Sequence, residues 1–571
     1  MNAASVTLRV LPDPIRDALI ARTDSRAHPV SSALALAASN RRAEAVGVLT
    51  SAAQHAEPEQ LRRIVAAAAA LDEPDLALHL LQRLPLADPE RDRLTALAYQ
   101  NQGWLREADG AAARAGRQAH RLRRRIRGEL NVLMDEPRQP PKRRDRDPVS
   151  STATHPLRVL HLVTNALPEV TAGYTVRTQG IVRAQRARGI DAHVVSRLGF
   201  PVTAGFFGAP AKTEVDGVPY HRLLPLRWLP AAADATMAID VDHTTQLTRR
   251  MAPDLLHAHS KHLNAQVALT VRERTGVPVV YEVRGFLEET WRSRGHDVSS
   301  DSYQLARQIE TRCMLAADAV VTIAEAMRAE ILTRGVPPER VSVVPNAVDS
   351  TFLAPAPDPA ALRAELGIHP DDVVLGVVTT LNAYEGISTL IDALRLLRER
   401  GAPVKLLIVG SGAERAPLAA AAHRAGLTDA IVMTGHVPHE HIRTYHAAID
   451  IFCVTRVSSP VTRLVTPLKP LEAMATGRPV VASDLPPLRE IVQPGVTGAL
   501  STPEDPQDIA DVIEPLVYDS TVRGHMGDAA REWVGAHRTW AAAADRYGAV
   551  YEQIAPRGAG APSGSATTAE E

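Results

Sequence analysis

Cysteine is almost absent from this 571-residue chain, which has only Cys313 and Cys453. The two are far apart and sit in apolar stretches, which argues against a disulfide framework or a cysteine metal site and fits buried thiols in a reducing compartment. Long hydrophobic runs are missing too. No stretch approaches the roughly 18 apolar residues of a membrane-spanning helix, and the first residues lack a charged-then-apolar leader pattern. A cytoplasmic protein is expected, with any membrane contact peripheral. Charge of one sign is also lacking: Lys+Arg 64 against Asp+Glu 65 leaves a net charge of -1, so nothing global points to nucleic acid. What remains is 45% hydrophobic and 23% charged residues, an ordinary globular composition. The chain is too long for one core, so three or four domains are expected.

Texture divides the chain. Residues 1–130 are rich in Ala, Leu and Arg, with apolar residues at helical spacing, as in LRRIVAAAAA and LDEPDLALHLLQRL. Helical hairpins resembling a small solenoid are expected there, although no clean repeat period is visible. Residues 131–156 are Pro-rich and charged and read as a linker. From LRVLHLV onward, short β-branched runs alternate with helical segments over 157–350, and a second series, DVVLGVV to PVVAS, falls within 351–535. That alternation predicts two doubly wound α/β domains with parallel sheets, facing a cleft at the carboxyl ends of their strands. A closing helix is expected over 536–555, and the Gly/Ser/Ala-rich tail 556–571 reads as disordered.

Several short motifs follow one another in these two domains. They are a glycine-containing loop after the first strand, HAHS (257–260), VVPNAVD at the domain junction, YEG, VGSGAERAPL, TGHVPHE and PLKPLEAMATGRPVVAS. In this order, from about 157 to 555, the chain resembles the family-four retaining glycosyltransferases, which move sugars from nucleotide diphosphates and have the GT-B architecture. The resemblance implies transfer of a sugar to a hydroxyl acceptor in glycan, polysaccharide or glycolipid synthesis. The implied co-substrate is a nucleotide-diphosphate sugar, with no separate cofactor.

The motifs also carry candidate roles. A turn at Thr466-Pro467 opens a helix predicted over Leu468–Ala475, whose free N–H groups and dipole favour a diphosphate. Lys469 adds positive charge in its first turn, and Glu472 can accept from two ribose hydroxyls. An ordinary capped helix with a surface Lys–Glu pair would explain the same residues. His259 lies nearer the carboxyl end of its strand than His257 and shares its side, so the resemblance sets it beside the donor sugar. A zinc site is the competing reading of HAHS, but no third ligand is spaced nearby, so no metal is expected. Gly173 would let backbone approach the phosphate or acceptor, and Arg177 could reach an anion. Glu282 and Arg284 in YEVRG stand at another strand end, for either sugar. Gly410 and Val437 would line the base pocket, and Gly386 marks the start of the YEG helix.

The chain departs from the family at two places. Leu464 stands where relatives have the first Glu of a Glu-x7-Glu pair, and Thr380 and Glu385 replace a usual Arg and Lys. Arg463 and Lys469, with Arg456, are expected to supply the compensating charge. The implied reaction is front-face attack without an Asp or Glu nucleophile, and the DxD metal motif of the other glycosyltransferase architecture is missing. Two alternatives stay open: a nucleotide-sugar epimerase on the same fold, and a non-catalytic nucleotide-sugar or partner-binding protein. Six arginines between Arg117 and Arg127, followed by PKRRDR, read as a solvated face or as a peripheral membrane or protein contact over 117–146.

Overall fold

The computed structural model describes residues 28–38, 41–138, 155–225, 228–293 and 295–555. The tail 556–571, most of the expected linker and the PKRRDR cluster lie outside the described residues.

By its internal contacts the chain falls into two units. The first holds α1 (Pro29–Ala38), α2 (Arg42–Ala53), α3 (Pro58–Ala70), α4 (Pro74–Leu81), α5 (Arg91–Gln102), α6 (Leu105–Arg114) and α7 (His120–Leu133). Helix α3 shows why they form: Leu61, Ile64, Val65 and Ala68 recur at helical spacing and are buried against neighbouring helices. This unit also takes in Trp228–Ala238 and Arg294–Ile309, which departs from the expected boundary at 130. The reason is local. Gly128 on α7 has no Cβ, and one built there would strike the Asp234 carboxylate and the backbone of Ala233. Asn131 donates to Asp234 at 2.8 Å, and the backbone N–H of Arg106 donates to Asp301 at 2.8 Å.

The second unit carries both sheets. The first comprises β1 (Arg158–Val163), β2 (Asp191–Ser196), β3 (Lys212–Val215), β4 (Val218–Arg222), β5 (Leu255–His259), β6 (Val279–Val283), β7 (Ala319–Thr322) and β8 (Val341–Val343). Their order is β3-β4-β2-β1-β5-β6-β7-β8, parallel except for the β3/β4 hairpin. The second sheet comprises β9 (Val373–Val378), β10 (Val404–Val409), β11 (Ile431–Gly435), β12 (Ile451–Val454), β13 (Val480–Ser483) and β14 (Gly498–Ser501), all parallel in the order β11-β10-β9-β12-β13-β14. Strand order reverses between β1 and β5 and between β9 and β12, and such switch points open a crevice at the strands' carboxyl ends. His259 ends β5, Thr379 follows β9, and Thr455 follows β12.

Three helices frame the crevice: α8 (Gly173–Ala187) after β1, α9 (Lys469–Ala475) between β12 and β13, and α10 (Trp540–Ile554) at the end. Helix α10 begins at Trp540, with the Thr539 hydroxyl accepting from the Ala542 N–H at 3.3 Å. It returns to the first sheet, where Trp540, Tyr547 and Tyr551 are buried in one core with Val159, Ile181 and Val280. The crossing is held at the junction by the Val348 N–H donating to the Arg538 carbonyl at 2.8 Å.

Gly180 on α8 faces Trp540 so closely that a Cβ would overlap the indole ring. Gly180→Ala is therefore expected to destabilise the second unit by about 1–3 kcal/mol. Thermal and urea unfolding would measure this, and an unchanged midpoint would deny that α8 and α10 are tightly packed.

Candidate functional site

One wall of the crevice comes from the first sheet. Its chemistry centres on Glu282 at the end of β6, which is fully buried. Arg177 Nε and Arg284 Nε donate to Glu282 Oε1 at 3.0 and 2.7 Å, and Tyr547 donates to Oε2 at 2.7 Å. Burial pushes this carboxyl up, but Arg284 and then Arg177 outweigh it, so it stays ionised, well below the usual range. Arg177 was expected to reach an anion of a ligand. It is instead buried, donating also to Val344, Pro345, Asn346 and Tyr547. Arg284 has a wider set of partners: Tyr174 O and Thr178 Oγ1 at 2.9 Å each, and His259 Nδ1.

His259 lines a cavity of about 440 Å³ together with Asn165, Tyr174, Thr178, Arg284 and Phe286. Both of its ring nitrogens are engaged within the protein, Nδ1 by Arg284 and Nε2 by His161 Nδ1 at 2.8 Å. His161, on β1, is a third imidazole that spacing along the chain did not reveal. The ring nitrogens of His161, His257 and His259 lie within 4.8 Å of one another, as a metal would require. Yet His161 also reaches Gln185 at 2.8 Å and His257 reaches Tyr551 at 2.7 Å, so the set is laced by hydrogen bonds. Arg284 donates to His259 Nδ1, so a metal bound here would add positive charge beside a guanidinium. Burial first, with neighbouring cations and imidazoles, holds His161 and His259 well below the ordinary imidazole range.

The facing wall comes from the second sheet. Gly386 has φ +66° at the start of its helix, and a Cβ there would run into the Thr455 carbonyl. Gly410 has φ +141°, and a Cβ there would meet the Thr379 carbonyl; its N–H donates to the Gly435 carbonyl at 2.9 Å. These glycines draw the loops after β9, β10 and β12 together. Val437 is half-buried and packs against the core of this half.

Helix α9 starts at Lys469, one residue later than expected, with Leu468 as its cap. Thr466 is buried, and its carbonyl accepts from Asn346 at 2.7 Å. Leu468 comes within 3.5 Å of where a Cβ on Gly173 would lie, so the two walls touch here. Lys469 Nζ donates to Glu472 at 2.9 Å. Glu472 also faces His446 Nε2 at 3.4 Å, a buried histidine on another helix whose nearness no spacing along the chain foretells. Burial would raise the Glu472 carboxyl, but Lys469 first and then His446 bring it down to about 2.

The three candidate compensating cations differ. Lys469 and Arg456 line one small cavity with Thr379, Glu385 and Pro467. Arg456, however, forms a two-pronged pair with Glu385, at 3.1 and 2.9 Å, and donates to Val465 O at 3.1 Å. It neutralises the acid that replaces the family's cation. Arg463 is exposed, donates to Ser458 at 3.2 Å and does not line that cavity.

Two parallel-sheet domains meeting at their switch points, with a Lys–Glu helix start on one wall, define the GT-B class. Residues 172–347 match the glycosyl transferase 4-like domain, and residues 358–533 match the glycosyl transferases group 1 family. The chain is 30% identical over 291 residues to a D-inositol 3-phosphate glycosyltransferase of Xylanimonas cellulosilytica, covering 49% of this chain and 67% of that protein. It is 32% identical over 258 residues to the GDP-mannose-dependent alpha-(1-6)-phosphatidylinositol monomannoside mannosyltransferase of Mycobacterium tuberculosis, covering 43% of this chain and 65% of that protein. The chain thus spans about two thirds of the length of these curated relatives. It belongs to the group 1 glycosyl transferase family. Its fold is similar to that of sucrose-phosphate synthase from Thermosynechococcus elongatus, with a TM-score of 0.58 at 22% identity over 70% of this chain and 99% of that one. Anabaena HepE in complex with UDP has a TM-score of 0.55 at 21% identity over 69% of this chain and all of that one.

The Glu472 pairing carries a pH signature. Its folded pKa, about 2, lies below the ordinary 4.5, so the stability it adds is fully present above about pH 4.5 and disappears as pH falls toward 2. Glu472→Gln should cost up to about 3 kcal/mol at neutral pH. Urea unfolding at pH 7, 4.5 and 3 should show the gap to wild type closing as the solution is acidified.

Proposed function

We propose that the chain transfers a sugar from a nucleotide-diphosphate donor to a hydroxyl acceptor with retention of configuration and without an obligatory metal. One observation carries the reading: the Lys469–Glu472 pair begins a helix on one wall, and the other wall holds an open cavity lined by His259 and Arg284. Lys469 would meet the diphosphate and Glu472 the ribose. The exposed Gly173 backbone and the loops around Gly386, Gly410 and Val437 would close on the donor. Leu468 and Thr466 would hold α9 in place.

Retention is supported by the carboxyls present. Among the described residues, Glu310 is the only one lining the larger cavity. Burial first, with Glu288 adding to it, raises Glu310 to about 8, and it is bonded to Tyr281. A neutral, occupied carboxyl is a poor nucleophile, which favours front-face departure of the diphosphate over a covalent glycosyl-enzyme. The relatives' printed activities, mannosyl transfer and transfer to inositol phosphate, suggest a polyol or glycan hydroxyl as acceptor.

The non-catalytic reading is favoured by the Arg456–Glu385 pair: the loop after β9 holds no cation of its own, and the arginine beside it is bound to an acid. Turnover separates the two: donor hydrolysis and thermal-shift measurements across UDP-, GDP- and ADP-sugars should show one donor both bound and slowly hydrolysed. A donor that stabilises the protein but is neither hydrolysed nor transferred in any acceptor mixture would support the non-catalytic protein.

A peripheral contact with an anionic membrane is also part of the proposal. Arg117, Arg121 and Arg124 are exposed and, among the described residues, form no ion pair, whereas Arg123 and Arg127 pair with Asp109. Among the described residues, no helix is long and apolar enough to cross a membrane.

A charge-assisted bond to phosphate is worth about 1.5–3 kcal/mol, so Lys469→Ala should weaken donor binding or transfer roughly tenfold to a hundredfold. Lys405→Ala, whose ammonium donates to Gly367 away from the crevice, should change donor kinetics little. Equal kinetics in the two variants would remove Lys469 from the donor site.

A further inference from the structure

The direction of every hydrogen bond behind His259 follows from one fact: a guanidinium can only donate. Arg284 Nη2 meets His259 Nδ1, so that nitrogen accepts and the proton of the neutral ring sits on Nε2. His259 Nε2–H then donates to His161 Nδ1 at 2.8 Å. His161 in turn carries its proton on Nε2 and donates to Gln185 Oε1 at 2.8 Å. The Gln185 amide donates to the Tyr551 hydroxyl at 2.9 Å, and that hydroxyl donates to His257 Nδ1 at 2.7 Å. His257 is left with its proton on Nε2, which faces Glu282 Oε2 at 3.0 Å. Glu282 accepts from Arg284 at 2.7 Å, so both ends of this chain of bonds lie at the one carboxylate, with His257 Nε2 close to it but not hydrogen-bonded. An Nε2–H on His257 beside the ionised Glu282 agrees in sign with this assignment.

We propose that Gln185 and Tyr551 are positioning residues for the transfer reaction. Through this one-way chain of hydrogen bonds they lock His259 as a neutral Nε2–H tautomer that holds the Arg284 guanidinium at the cavity wall. The inference rests on the transferase reading above. It gives His259 no part in proton exchange. A proton added to His259 would face Arg284, one added to His161 would face the His259 N–H, and one added to His257 would face the Tyr551 hydroxyl. Each would break a bond of the chain. Tyr551 belongs to α10, so the closing helix takes part in the site without touching the cavity.

Two substitutions read this out. Tyr551→Phe keeps the aromatic packing but removes the hydroxyl linking Gln185 to His257. It is expected to lower kcat about tenfold with little change in donor KM, and to move the acid limb of the kcat–pH profile to higher pH, because the neutral imidazole loses the donor that favours it. The groups facing the freed imidazole from neighbouring elements are Glu282, Arg177, Arg284, Tyr547, His161 and His259. Gln185→Glu supplies a sharper test. In that variant a protonated carboxyl accepts from His161 and donates to Tyr551 as the amide does, whereas an ionised carboxylate can only accept. Its kcat should approach wild type in acid and fall as pH rises.

Arg188→Ala is the control. It removes the exposed ion pair to Asp545 that also joins α8 to α10, and should shift the thermal midpoint without altering the pH profile of kcat. Wild-type kcat and an unchanged pH profile in Tyr551→Phe, or a Gln185→Glu variant whose activity does not depend on pH, would overturn the proposal. Absence of turnover in wild type with every donor would instead defeat the transferase reading.

Discussion

The second unit is organised around one buried carboxylate. Glu282 lies at a strand end with no access to water, where an ionised group is tolerated only if its attraction to partners offsets a desolvation cost of several kcal/mol. Those partners come from three places: Arg177 from α8, Arg284 from the turn after β6, and Tyr547 from α10. Arg177 extends the constraint by donating to Val344 and Asn346, and Asn346 passes it on to the carbonyl of Thr466. A chain of bonds thus runs from a carboxylate in the first sheet to the residues just before Lys469 in the second half. Removing the acid would leave two guanidinium groups buried side by side.

The facing wall follows a different electrostatic plan. Thr380 and Glu385 stand where the motif resemblance implies two cations, and Arg456 cancels the acid locally. The field at the start of α9 therefore depends on Lys469, which shares its charge with Glu472. Helix N-termini favour anions, and a lysine in the first turn strengthens that preference without needing a second basic loop.

Much of this architecture was legible in the sequence. Near-continuous β-branched runs such as VVLGVV and IFCV read as strands covered on both faces, and the spacing of Leu61, Ile64 and Val65 reads as the buried stripe of a helix. The proximity of Lys469 and Glu472 was legible because three residues on a helix are neighbours. The roles of Arg177, His161 and Arg456 were not, since each is decided by a partner about 70 to 105 residues away in the chain, whose nearness only the packed sheets create. The same holds for Trp228–Ala238. Its place with the helical unit depends on a missing Cβ at Gly128, and a glycine within a helix shows nothing in the sequence about what packs against it.

The returning helix bears on how the protein is made. Trp540, Tyr547 and Tyr551 fill the core of the sheet that begins at Arg158, yet nearly 400 residues separate the two along the chain. During synthesis the first sheet is assembled well before its own core is complete. Until Trp540–Ile554 leaves the ribosome, Glu282 lacks the Tyr547 hydroxyl and His257 lacks that of Tyr551. From Val343, where the sheet's last strand ends, about 200 residues remain to this helix, so at roughly 5–20 residues per second the wait is some tens of seconds. During that interval the nascent first domain exposes an apolar face and an incompletely satisfied polar cluster. A chain cut short before Trp540 would therefore injure the first domain, although every residue of its sheet had already been made.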